Sequence, residues 1–152
     1  MGKPVVANLQ YGGEYRSSLE EAHRTGKCIF CKPEFQEKKL LPSLAGWVVL
    51  NNEYRTKDRE GVTPDLQLLF VSVDHRNDEE SLSARDLSAI ATLLFQCKQK
   101  FGIMGGCLFV RDGDPMICGR TVRHPHAHYY IPRVIEEGSG TFRTVPIDIP
   151  AG

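Results

Sequence analysis

Long apolar runs are missing from this chain. None approaches the roughly 20 residues that a membrane span needs. Met1 to Gln10 also lack the apolar centre of a secretory signal. Internal repeats, low-complexity tracts and long blocks of one charge are absent, which argues against solenoids and disordered tails. An excess of charge is missing too. Nineteen basic residues balance nineteen acidic ones, and the formal net charge is zero. A protein that wraps a polyanion carries surplus Lys and Arg, so nucleic-acid wrapping is not expected. A local site for a small phosphate ligand stays open. The five cysteines are an odd number, a poor fit to a purely disulfide-stapled secreted domain. The expectation is a cytoplasmic protein without a membrane partner, its cysteines serving as thiols or metal ligands.

What is present suits one domain spanning residues 1–152. Hydrophobic residues make up 41% of the chain, enough for a core that removes roughly 70% of the unfolded surface from water. Ser18 followed by Glu21 reads as a capping box for a short helix over Ser17–Thr25, with Gly26 to stop it. Lys32 and Pro33 suggest a turn. Trp47–Asn51 and Leu66–Val73 read as strands, joined by a polar loop from Asn52 to Pro64. Ser83 can cap a long helix to Phe101, with Asp86 at its third position. Leu87, Ile90, Ala91, Leu94, Phe95 and Phe101 then form one apolar face, and Gly102 ends the helix. Leu108–Val110 is a strand candidate and Asp112–Pro115 a turn. Thr121–Ile131 is a strand, and Phe142–Val145 a short fifth one. The class is α+β: an antiparallel sheet of about five strands, one long helix and a short N-terminal helix.

Three of the five histidines, His124, His126 and His128, fall at alternate positions. On a strand these share one face. Three imidazoles together serve proton transfer, metal binding or phosphate contact; the bland alternative is a solvated histidine-rich strand. Pro125 cannot donate to a ladder, so this position is an edge or an interruption. Tyr129 and Tyr130 point to opposite faces, and only one can join a site. Trp47 and Phe70 read as core. Separately, Cys28 and Cys31 have the two-residue spacing of a zinc knuckle, although one pair is half a tetrahedral site. Buried thiols are the competing reading. His23 reads as solvent-facing, and Cys97, Cys107 and Cys118 carry no assigned chemistry.

The stretch Gly119–Arg133, with His124-Pro125-His126-Ala127-His128 and a closing Pro132-Arg133, resembles the signature of the histidine triad superfamily. Cys28 to Cys31, Trp47 to Asn51, Leu69 to His75 and the long helix follow in that family's usual order. The resemblance covers about residues 28–133, leaving 134–152 as a tail. The His-Pro-His element with an upstream Cys-x-x-Cys is also similar to the galactose-1-phosphate uridylyltransferase branch.

That resemblance implies a nucleotide hydrolase or nucleotidyltransferase acting at the α-phosphate of a dinucleoside polyphosphate or nucleotidyl conjugate. His126 would be the nucleophile, forming a covalent nucleotidyl-imidazole. His128 would donate to phosphate oxygens, its protonated form offsetting developing charge. Thr121 would donate to phosphate, and Arg120 stands where glutamine is common, as a guanidinium that either grips phosphate or simply points to solvent. Phe30 and Leu50 would line the base pocket. The family loop often supplies an asparagine, which Arg111–Cys118 lacks, and Asp112 would repel a phosphate if it faced the site. The resemblance further implies structural zinc on Cys28, Cys31, His75 and His124, and a homodimer built on the long helix. The alternatives are transfer to phosphate or a sugar phosphate, and a non-catalytic zinc-stabilised nucleotide-binding or interaction module.

Overall fold

The two most apolar segments pair with each other. Strand β1, Trp47–Asn51, lies antiparallel to β2, Leu66–Ser72, with Val49 opposite Phe70. The computed structural model describes residues 13–57, 60–61, 63–76, 81–132 and 138. Among these the sheet has four strands in the order β1-β2-β4-β3, where β3 is Cys107–Val110 and β4 is His126–Ile131. The central pair β2/β4 sets Leu69 opposite His128 and Val71 opposite His126. Strand β2 is buried along almost its whole length, which explains its near-continuous apolar run. The expected fifth strand, Phe142–Val145, lies outside the described residues.

Each face of the sheet has its own cover. One face packs Trp47, Val49, Leu68, Phe70, Ala127 and Tyr129 against Ala89, Ile90, Leu93 and Cys97 of helix α3, Ala84–Phe101. The other packs Val48, Leu50, Leu69 and Val71 under Leu19 and Ala22 of helix α1, Gly13–Thr25, together with Cys28 and Phe30.

Helix α3 begins and ends as its sequence predicts. Ser83 and Asp86 form a reciprocal capping box, and Gly102 closes the helix at φ 65°. Its buried face differs from the expected one. Asp86, Ala89, Ile90, Leu93 and Cys97 face inward, while Leu87, Phe95 and Phe101 are exposed. Small residues let the helix lie close to the sheet, and the bulky ones project beyond it. Asp86 belongs inside because it is fully employed. One carboxylate oxygen accepts from the Trp47 indole at 2.9 Å, and the other from Arg76 at 3.0 Å and from the Ser83 backbone at 2.8 Å. Burial raises its pKa, but the hydrogen bonds from Arg76, Trp47 and Ser83 outweigh that and hold the carboxyl well below its usual range.

Several boundaries move, those of β2 and β3 by one residue each. Helix α1 starts four residues before Ser17, so Ser18 is inside it and bonds the Tyr54 hydroxyl at 3.0 Å instead of capping. Pro33 opens a short helix, α2, Pro33–Glu37, after a 3-10 turn over Ile29–Cys31, because proline is tolerated in a first helical turn. Strand β4 begins at His126, not Thr121: Pro125 has no N–H for the ladder, although its carbonyl still accepts from Ser72 at 3.1 Å. Between β3 and β4 lies a four-residue helix, α4, Pro115–Cys118, capped by Asp114. Gly106 cannot be replaced cheaply, since a Cβ there would sit 2.4 Å from the Tyr130 carbonyl oxygen. Among the described residues, no helix is long and apolar enough to cross a membrane.

Candidate active site and metal centre

Four side chains distant in sequence meet at one end of β2 and β4. Cys28 and Cys31 come from the 3-10 turn, His75 from just beyond β2, and His124 from just before β4. One donor atom from each lies within 4.8 Å of the others. The donor separations are 3.6 Å (Cys28 Sγ to His124 Nδ1), 3.5 Å (Cys31 Sγ to His124 Nδ1), 3.4 Å (Cys31 Sγ to His75 Nδ1) and 3.2 Å between the two Nδ1 atoms. Tetrahedral zinc with its usual bond lengths requires donor separations of about 3.3–3.8 Å, and these four separations lie close to that range. The tautomer also fits. His124 Nε2 lies 2.6 Å from the Ser72 carbonyl and donates to it, leaving Nδ1 bare for a metal. Burial and the adjacent Cys28 push the Cys31 thiol up to about 12; a dication among the sulfurs reverses that penalty.

His124 does not stand on the histidine strand. It lies in the irregular stretch before Pro125 and is fully buried. Only His126 and His128 share a strand face, their rings edge-on at 5.3 Å. The link back to His124 is its main chain: His126 Nδ1 donates to the His124 carbonyl at 2.7 Å. Burial, then the neighbouring His128, holds the His126 pKa well below its ordinary value. Burial and the Arg111 charge lower His128 to about 4, and burial lowers His124 to about 4 despite the Ser72 hydrogen bond. All three imidazoles are therefore neutral at pH 7. For His128 this departs from the expected cation.

Both histidines open into a cavity of about 980 Å³, which Thr121, Phe30 and Tyr130 also line. The Tyr130 ring stacks on His128 at 5.8 Å, while Tyr129 is buried on the helix face, so the two tyrosines divide as expected. Two other expected contacts fail. Leu50 is buried in the core beneath and does not line the cavity, because its β1 position faces the underside of α1. Arg120 is 1% exposed and donates to the carbonyls of Arg111 and Gly113 at 3.0 and 3.1 Å, stapling the loop instead of facing the cavity. Asp112 turns away as well, accepting from the Leu82 N–H at 2.6 Å. The cationic lining is Lys32, Lys38, Arg55, Lys57 and Arg111, interspersed with Glu14, Glu34 and Glu53, and sequence reasoning missed it. Nothing local distinguishes those residues from solvated surface charge. Gln67 was missed too, though a lone amide inside Leu-Gln-Leu-Leu-Phe-Val was a readable signal. His23 is exposed on α1.

No protein-family model and no curated protein matches this chain. Solved structures do. A histidine triad protein from Clostridium difficile superposes with a TM-score of 0.52 at 16% identity, covering 72% of this chain and 94% of that one. A hypothetical protein from Leishmania major gives 0.50 at 17% identity, covering 84% and 87%. Likeness at such identity is likeness of fold. The chain has an α+β architecture with histidines on a central antiparallel strand, and that architecture is the histidine triad fold. Neither likeness singles out the galactose-1-phosphate uridylyltransferase branch.

Proposed function

We propose that this chain is a nucleotide hydrolase or nucleotidyltransferase acting at an α-phosphate through His126. One observation carries the reading: the 2.7 Å hydrogen bond from His126 Nδ1 to the His124 carbonyl. With Nδ1 donating, Nε2 is a bare nitrogen, in a site whose burial disfavours the imidazolium. In the first step the Nε2 lone pair forms a bond to phosphorus, and the bond from phosphorus to the leaving group breaks on the opposite side. The leaving group departs with that electron pair and takes a proton from solvent. In the second step water attacks and gives up a proton to solvent, the phosphorus–nitrogen bond breaks, and Nε2 recovers its lone pair. Phosphate or a sugar phosphate in place of water gives transfer. Thr121 and His128 donate to phosphate oxygens, Phe30 lines the base site, and Arg111 supplies positive charge. The cavity is at the upper end of the roughly 300–1,000 Å³ range for ligand sites, which suits a donor with a large leaving group.

Cys28, Cys31, His75 and His124 would hold zinc. With four protein ligands the ion would have no open position, and its role would be to fix the loop and the His124 main chain. The exposed Leu87, Phe95 and Phe101 on α3 are the surface that a second copy would cover; the sedimented mass tests that assembly.

The function is tested with a panel of nucleotide donors, with and without phosphate, followed by phosphorus NMR. Turnover is expected and should fall by about 10³-fold or more in His126→Ala. Undiminished turnover in that variant rejects the nucleophile. Tight nucleotide binding without turnover in the parent makes the chain a binding module.

A further inference from the structure

Gln67 is the most deeply buried polar side chain facing the cavity, with no exposed surface. Its two ends are both occupied, and by partners of different kinds. The Oε1 accepts from the Thr56 backbone N–H at 2.8 Å. A main-chain N–H can only donate, so this contact fixes which end of the amide is oxygen. The Nε2 end therefore faces His128, whose Nδ1 is 3.2 Å away. An amide NH₂ can only donate in turn. His128 Nδ1 must accept, and an accepting ring nitrogen carries no proton.

We infer that Gln67 is a positioning residue that holds His128 as a neutral imidazole with its single proton on Nε2. The third histidine of the row is then a hydrogen-bond donor and not a cation. This rests on the function proposed above for its consequence, though not for its geometry. A phosphate oxygen beside His126 receives a hydrogen bond from His128 Nε2 and its charge compensation from Arg111.

The surroundings of His128 agree. His126 lies edge-on, Tyr130 stacks on the ring, and Phe109 stands opposite across the strand pair. Arg111 is the charged group that acts on it, and no carboxylate is among these neighbours to favour the imidazolium. Protonating Nδ1 would bring two N–H donors head to head at the Gln67 contact. To relieve that, the amide would have to turn and abandon Thr56.

Nitrogen-15 NMR of the imidazoles tests this directly on the purified full chain, with His128 assigned by the signals lost in His128→Gln. The expected result is a protonated Nε2 and a bare Nδ1, unchanged from about pH 8 to about pH 5.5. A proton on Nδ1, or a midpoint near the ordinary 6.5, overturns the inference. Gln67→Glu supplies an acceptor where the amide donates. It should move the proton to Nδ1 and raise the midpoint of His128 by more than one pH unit. It should also add a matching limb to the pH profile of kcat on the donor that proves active. An unchanged midpoint overturns the role of Gln67. If Gln67→Glu does not fold, the parent spectrum alone decides. The spectrum reads the proton whether or not the protein turns over nucleotides. Loss of the proposed activity and loss of this inference are therefore separate outcomes.

Discussion

The two faces of the sheet use the same strands for opposite ends. Toward α3 the strands present Trp47, Val49, Leu68, Phe70, Ala127 and Tyr129, and Asp86 there accepts from the Trp47 indole and from Arg76. Toward α1 the alternate residues of the same strands include Gln67, His126 and His128, with part of the cover given over to a cavity and a metal cluster. Adjacent residues thus belong to different regimes. Ala127 is packed and inert, and its neighbours on either side carry the proposed chemistry. Strand alternation separates stability from function at a spacing of one residue.

Substitution on the packed face should show the largest effect on folding. Phe70→Ala removes a fully buried ring and should cost about 3–5 kcal/mol in denaturant melts, while any nucleotide turnover that survives keeps its KM. A large change in KM with little loss of stability would break the division between the faces.

Metal removal should come next and touch the other face. Stripping zinc with a chelator should lower Tm by about 5–10 °C. Hydrogen exchange should rise around residues 28–31, 72–76 and 122–126 and remain slow in α3. Equal loosening of both faces would show that the cluster supports the whole sheet.

The smallest effect is that of mild acid on the metal-free chain. His124 titrates near 6.5 when unfolded and at about 4 when folded. The unfolded chain therefore binds the proton first, and stability is complete above about pH 6.5. It declines as the pH drops toward 4, by up to about 3 kcal/mol for this residue. Melts at stepped pH values check this, and His124→Asn should flatten the slope.

Local pattern made much of this legible. The capping box Ser83/Asp86, the stop at Gly102 and the apolar runs of β1 and β2 each have a short-range cause, and each is where the sequence puts it. The inward face of α3 was not legible, because size alone favours Leu87 and Phe95 over Ala89 and Cys97, and only the sheet decides between them. The four candidate ligands are present as residue types, but their meeting depends on β2 and β4 being neighbours. Arg120 and Leu50 defeated the reading for a related reason. Arg120 is near the histidines along the chain and Leu50 was drawn from the family resemblance, and tertiary packing turns both inward. Pro125 was correctly an interruption, and its cost to the strand was larger than alternation alone conveys.

Arg120 has a consequence for the behaviour of the cavity in salt. Its guanidinium is held by main-chain carbonyls inside the wall, and its charge reaches His124 and His126. Mobile ions cannot crowd around a group so nearly buried, as they do around the exposed Lys32 and Lys57 at the rim. Raising the ionic strength silences the rim and leaves the wall. The attraction proposed here between the site and a phosphate therefore has two parts, one that brine removes and one built into the loop beyond its reach.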